Sequence, residues 1–218
     1  MTRHADDLPR VSLDSSTEAP PLVVQALAAL IRSRPRRRVE EVPPWLDALQ
    51  PPNDLAAIAR AEAGRPTAVL GAWEISLAAA DDLLVATGVS APAERCVYLA
   101  DDGGGLSLLA AWSPAARDTE LYLVLPEDGM LQPVGRIEDW LCDLLDGQDV
   151  PPGSTGDHLT RYPGMLAELR EHLDRLVAEA RRRVGEIEEA LEREVGQTDD
   201  LYEEWERLEA LVGAAGSC

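Results

Sequence analysis

The chain predicts an α+β fold: a small antiparallel sheet with flanking helices, followed by a C-terminal helical hairpin or coiled-coil-like helix. Three observations carry this expectation. Residues 95–147 alternate short apolar runs with glycine-bearing turns; Ile137, Trp140, Leu141, Leu144 and Leu145 then recur at helical spacing; and beyond residue 157 an apolar stripe steps by three and four residues.

Residues 1–19 are polar, with little to bury, and are expected to be mobile. Pro20-Pro21 opens a short helix whose Leu22, Val23, Ala26, Leu27, Leu30 and Ile31 share one face, and Pro35 ends it. The run from Arg32 to Arg38 is a basic island in an acidic chain and reads as a solvated linker that pairs with the protein's own acidic surface. The prolines at 43, 44, 51 and 52 bracket a short stiff element around Trp45 and Leu46. Asn53 or Asp54 caps a helix over Leu55, Ile58 and Ala59 that stops at Gly64. Thr67–Leu70 reads as a strand, and Leu77–Ala86 as a helix ending at Gly88, in competition with a strand over Leu83-Leu84-Val85.

From here the pattern is clearer. Cys96–Ala100 and Leu106–Trp112 are apolar strands joined by Asp101-Asp102-Gly103-Gly104-Gly105, a turn whose glycines supply positive φ. Leu121–Leu125 makes a third strand, Pro126–Gly129 a turn, and Met130–Val134 a fourth strand. A helix from Ile137 to Leu145 follows, with Gly147 as its left-handed cap. Residues 148–156 are a linker by composition. In the tail, Leu159, Tyr162, Leu166, Leu169, Leu173 and Leu176 form a heptad-like seam that needs a partner, continued by Ala180, Val184, Ile187, Leu191 and Val195. Leu201, Trp205, Leu208 and Val212 make a second apolar face after a break near Gly196. The expected organisation is a mobile region 1–44 with its short helix and Arg-rich linker, an α+β domain 45–147, a linker 148–156 and a helical segment 157–218.

Composition narrows the function. Asp and Glu number 40 against 20 basic residues, all of them Arg, for a formal charge of −20. So acidic a surface repels phosphate backbones and anionic lipid and favours a basic protein partner, so neither nucleic acid nor membrane is expected as a ligand. Cys96, Cys142 and Cys218 form no spaced set; thiols on apolar faces act as small hydrophobes, and a reducing cytoplasm is the expectation. The apolar run 22–31 is too short to span a bilayer, and acidic residues precede it where a signal peptide carries basic ones.

The chemistry-bearing inventory is thin. The three histidines, His4, His158 and His172, all lie outside residues 45–147, which excludes a Cys-His or Ser-His-Asp arrangement there, and no clustered Cys and His offer a structural zinc site. Asp101–Gly105 has the glycines of a phosphate loop, but the chain contains no Lys for it and a strand follows instead of a helix, so a hairpin turn is the better reading. With 40 carboxylates, an acidic solvated face outweighs an acid–base pair. No cofactor, metal or catalytic residue is expected. The five Trp residues are read as the large core side chains of a chain without Phe.

The order of elements from Val97 to Gly147 resembles the SUKH superfamily, the Smi/Knr-like proteins. The likeness lies in the strand Tyr98-Leu99-Ala100 entering the acidic Gly-rich turn 101–105, the apolar strand to Trp112, the strand Leu121–Leu125, the turn Glu127-Asp128-Gly129 and the closing apolar-aromatic helix at 137–145. Many such proteins are immunity proteins for bacterial polymorphic toxins. The resemblance covers about a quarter of the chain and transfers no individual residue as a functional site. It implies a non-enzymatic immunity or adaptor module that neutralises or recruits a basic partner, such as a toxin, through an acidic surface. The residues expected to bind partners are Asp101, Asp102, Glu127 and Asp128 on the turns and Leu166, Leu169, Leu173, Leu176 and Trp205 on the helices. The alternative is an assembly protein in which the C-terminal helices mediate self-association or docking in a larger complex.

Overall fold

The structure, a computed structural model, describes residues 12–14, 19–35, 42–65, 67–116, 118–147, 163–193, 199–216 and 218. Of the segment 1–19 expected to be mobile, residues 1–11 and 15–18 lie outside them, as do the arginines at 36–38, the linker 148–156, the seam residues Leu159, Tyr162 and Val195 and the break near Gly196.

Six strands, β1 (Ala68–Leu70), β2 (Trp73–Ala79), β3 (Arg95–Asp101), β4 (Ser107–Trp112), β5 (Glu120–Leu125) and β6 (Met130–Arg136), form one antiparallel sheet in sequence order. Every connection joins sheet neighbours, and the α+β expectation holds. The last four strands fall where the apolar runs place them. Strand β2 is the correction: residues 77–79 were expected to be helical, but Trp73–Ala79 pairs with both β1 and β3, and the helix α4 (Asp81–Thr87) begins only afterwards. Glu74-Ile75-Ser76-Leu77 carries the alternation of a strand, which the neighbouring alanines obscure. Helix α4 ends as expected at Gly88, in the left-handed conformation at φ 70°.

The two faces of the sheet differ in what covers them. Val97, Leu99, Leu108, Ala110, Leu121 and Leu123 turn to the main core. Packed there are α1 (Leu22–Arg32), α3 (Asn53–Glu62), α5 (Ile137–Leu145), α6 (Pro163–Arg193) and α7 (Asp199–Ala215). Leu109 and Val124 face the other way and meet Ala80 and Val89 in a second, small cluster under Leu83 and Leu84 of α4. All six residues of β4 are buried because both faces are covered there. Trp73, Trp112 and Trp140 are core residues as expected, and Trp73 meets Trp140 edge to face at 6.1 Å.

Helix α1 is the hub and not part of a mobile arm. Leu22 to Ala28, Leu30 and Ile31 are all buried. An amphipathic reading misses this because the helix is apolar on nearly every side, as a helix packed all round must be. Its one polar side chain in that stretch, Gln25, is satisfied by the chain folding back: its amide donates to Asp14 O (3.0 Å) and Pro20 O (2.9 Å), and its carbonyl accepts from Asp14 N (3.0 Å).

The C-terminal helices form the hairpin of the two expected arrangements. It is antiparallel: Arg183 meets Glu204, Trp205 Nε1 donates to Glu188 at 3.3 Å, and Arg170 reaches the carbonyl of Cys218 at 2.7 Å. The seam finds its partner inside the chain. Leu169, Leu173 and Leu176 are at most 2% exposed and belong to the same apolar cluster as α1, so the residues grouped by sequence as 45–147 and 157–218 share one core. Around it, Val69 N donates to Met165 Sδ (3.3 Å), Arg34 pairs with Glu168 (3.6 Å) and Arg170 with Asp146 (3.2 Å). Cys142 and Cys218, expected as thiols, are joined by a disulfide, because the hairpin returns residue 218 to α5 across a separation of 76 residues.

Candidate protein-interaction surface

Asp101 and Asp102, paired in the sequence reading, separate into different roles. Asp102 is 5% exposed, and its Oδ1 accepts the N–H groups of Gly104 (2.8 Å) and Leu106 (2.9 Å) while its own N–H donates to Leu106 O (3.1 Å). A Cβ on Gly104 would lie 3.0 Å from the other carboxylate oxygen, so a larger residue there would have to push this side chain aside by a few tenths of an ångström. The backbone N–H groups of Gly104 and Leu106, which a phosphate loop would offer to a ligand, are thus taken by the protein's own carboxylate. Asp101 is half-buried and accepts from Gly103 N (2.9 Å) and from the Tyr98 hydroxyl. Burial, then the Asp101 carboxylate, push the Tyr98 hydroxyl pKa upward. Both aspartates hold the β3–β4 turn together, and Asp102 is removed from the partner-binding set.

The β5–β6 turn behaves differently. Glu127 and Asp128 are exposed, and the backbone N–H of Asp128 donates to Leu125 O at 3.2 Å. Their side chains remain on the surface, as the partner-binding expectation requires.

Of the helical residues expected to bind partners, Leu169, Leu173 and Leu176 are buried in the chain's own core, and Leu166 is half-buried with its Cδ1 3.5 Å from where a Cβ on Gly71 would stand. Trp205 is half-buried between the two helices of the hairpin. The stripe was legible; the chain that covers it, α1, lies more than 130 residues away in sequence and left no local signal.

The sheet's outer side carries a feature that the sequence reading did not single out. Helix α4 buries none of its residues: Asp81, Asp82, Val85 and Ala86 are exposed, and Leu83 and Leu84 are half-buried on the small cluster beneath. Its last residue abuts the β5–β6 turn, since a Cβ on Gly129 would lie 3.8 Å from Thr87 O. The C-terminal end of α4 therefore adjoins that turn, which carries the exposed Glu127 and Asp128, while the helix's own exposed acids, Asp81 and Asp82, stand in its first turn. The signal was present as Leu83-Leu84-Val85, a run too short to assign to core or surface.

Three titratable groups are withdrawn from solvent elsewhere. Asp54 accepts Thr119 N (3.1 Å), Thr119 Oγ1 (2.7 Å) and Leu55 N (2.6 Å), and burial raises its pKa. Burial pushes Glu62 up to about 7 against the Leu77 N–H, which donates to it at 3.2 Å. His172 is 0% exposed, neither ring nitrogen has a hydrogen-bond partner among the described residues, and burial lowers its pKa. A cavity of about 190 Å3 lies between α2 (Pro44–Ala48) and α3, lined by Leu46, Asp47, Gln50, Asn53, Ala56 and Arg60 among others. Among the described residues, no group of three or more His, Cys, Asp or Glu side chains is placed to hold a metal ion, and no helix is long and apolar enough to cross a membrane.

Compared with known proteins, the chain matches no protein-family model, no curated protein and no solved structure.

Proposed function

We propose that this chain is a non-enzymatic, SUKH-like immunity or adaptor module that binds a basic partner protein through an acidic surface and neutralises or recruits it. The observation that carries this reading is the exposed carboxylate set Asp81, Asp82, Glu127 and Asp128 on adjoining elements, in a chain of net charge −20. Carboxylates held in hydrogen bonds inside the fold, such as Asp54 and Asp102, serve structure; these four are left to solvent. Exposed charge of one sign speeds and selects encounters with a partner of opposite sign.

The alternative, assembly through the C-terminal helices, loses the seam on which it rested, because Leu169, Leu173 and Leu176 are occupied by the chain's own core. The proposed setting is the cytoplasm. The Cys142–Cys218 disulfide sets a condition on it: in a reducing compartment the same two residues stand as neighbouring thiols.

The test is affinity capture from the native host's lysate with the full chain, followed by titration of the purified captured protein at low and moderate salt. A basic partner should bind tightly at low salt, weaken as salt rises, and lose affinity for a variant carrying Asp81→Asn, Asp82→Asn, Glu127→Gln and Asp128→Asn together. A partner whose binding ignores both salt and those four substitutions would sink the reading.

A further inference from the structure

Helix α7 is lightly held by packing: of its 17 residues only Leu208 and Ala215 are buried, whereas the 11-residue α1 buries nine. Its first half is tied to α6 by solvent-facing contacts, Arg183 with Glu204 and Trp205 with Glu188, of a kind that contributes little. The end that follows α7 is held differently. Cys218 is bonded through sulfur to Cys142 of α5, and the Arg170 guanidinium donates to the Cys218 carbonyl (2.7 Å) and to Asp146 just past α5 (3.2 Å). Helix α5 is itself fixed, with Ile137, Trp140, Leu141 and Leu144 buried. The third cysteine cannot replace either partner: Cys96 packs on the small cluster on the sheet's other face, whereas Cys142 and Cys218 pack against the main core.

We infer that Cys142 and Cys218 form a reversible redox clasp, closed by a peroxide and opened by a dithiol, which sets whether the end of α7 is locked onto α5. Both residues are half-buried, within reach of a small reagent, and accessible bonds are the ones that exchange. Closure removes two electrons from the two thiols. One thiolate attacks hydrogen peroxide, which leaves as hydroxide and is protonated to water, and the resulting sulfenic acid loses a second water as the other thiol displaces it. A dithiol reverses this by exchange, giving two thiols here and its own cyclic disulfide. Because the bonded residues are 76 apart in sequence, the closed bond restricts the unfolded chain and every state in which α7 swings away. Once it opens, α7 keeps two buried side chains and a few surface contacts, and it falls to the low end of the local-stability range. The clasp is independent of the partner-binding reading.

The test treats the full chain with hydrogen peroxide or with dithiothreitol, alkylates the free thiols and weighs the intact protein. The peroxide-treated chain should keep one free thiol, mapped to Cys96, and the dithiothreitol-treated chain all three. Closure should raise the melting temperature by about 5–15 °C. Amide exchange over residues 208–216 should be about tenfold slower in the closed form, with no change in β4. Cys218→Ser should match the dithiothreitol-treated parent after either treatment. Three free thiols after peroxide, a bond that involves Cys96, or a Cys142–Cys218 bond that survives dithiothreitol in the folded protein would each overturn the clasp. So would a bond that forms and opens while exchange in α7 stays the same.

Discussion

Asp54, in the first turn of α3, holds Thr119 at the entry to β5 by both its backbone N–H (3.1 Å) and its hydroxyl (2.7 Å), across 65 residues of chain. Thr119 is 0% exposed and Asp54 8%. This pairing fastens a core helix to the connection between β4 and β5.

Removing it should be costly. Asp54→Ala leaves the Thr119 N–H and hydroxyl buried without acceptors and is expected to lower stability by about 3 kcal/mol, while Thr119→Val should cost about 1–3 kcal/mol. Urea denaturation of the full-length variants measures both. A loss under 0.5 kcal/mol for Asp54→Ala, roughly the scatter of surface changes, would contradict the pairing's role.

Helix α1 is expected to behave as core. Leu27 and Leu30 are 0% exposed, so Leu27→Ala and Leu30→Ala should each cost about 2–5 kcal/mol through lost burial and a residual cavity. For the same reason a chain cut at residue 150 removes Leu169, Leu173 and Leu176 from the cluster and should lose its cooperative thermal transition. Circular dichroism melting distinguishes this from a tail that can be removed without consequence.

Acidification should act through His172. Its pKa in the fold lies below the usual 6.5, chiefly because it is buried and next because Arg175 repels a second charge, against weaker attraction from Glu168 and Glu171. The unfolded chain therefore takes up the proton first: the stability associated with a neutral His172 is complete above about pH 6.5 and is lost as pH falls through that value toward the folded pKa. His172→Leu should flatten the stability curve below about pH 6.5, with its gain over the parent growing as the pH falls. Denaturant midpoints across that window give the answer; parallel curves for the two proteins would contradict it.

Glu62 works in the opposite direction. With a folded pKa of about 7 against an ordinary value of 4.5, the native state holds its proton where the unfolded chain releases it. Stability from this group is present below pH 4.5 and is lost as pH rises toward 7. Glu62→Gln keeps an oxygen for the Leu77 N–H and should stabilise the protein at pH 8 but not at pH 4. Equal effects at both pH values would mean that burial does not hold the proton.

The acidic turns should divide by role. Asp102→Ala strands the Gly104 and Leu106 N–H groups and is expected to cost about 1–3 kcal/mol. Asp128→Asn, on an exposed side chain, should change stability by less than about 0.5 kcal/mol. Thermal melts of the two variants test this division independently of any partner.

The local grammar of the chain was legible because strand, turn and helix signals act over a few residues. The runs at 96–100, 106–112, 121–125 and 130–134 and the helix at 137–145 all lie inside the observed elements or within a residue or two of their ends. So did the stripe of Leu169, Leu173 and Leu176, and the exposed acids Glu127 and Asp128 of the candidate surface. What escaped was pairing across distance. Asp102 and Asp128 look alike in sequence, each an acidic residue beside glycine, yet one closes a turn inward and the other faces solvent. Gln25, Asp54, Cys142 and the α6 seam each found partners 11 to 76 residues away or farther, and no local pattern encodes which. The sequence by itself determined where the chain is extended or helical, and that its surface is strongly negative. Only the tertiary structure decided which apolar faces meet, leaving α1 enclosed and α4 open, because burial depends on the summed area of elements brought together from the whole chain and not on any one of them.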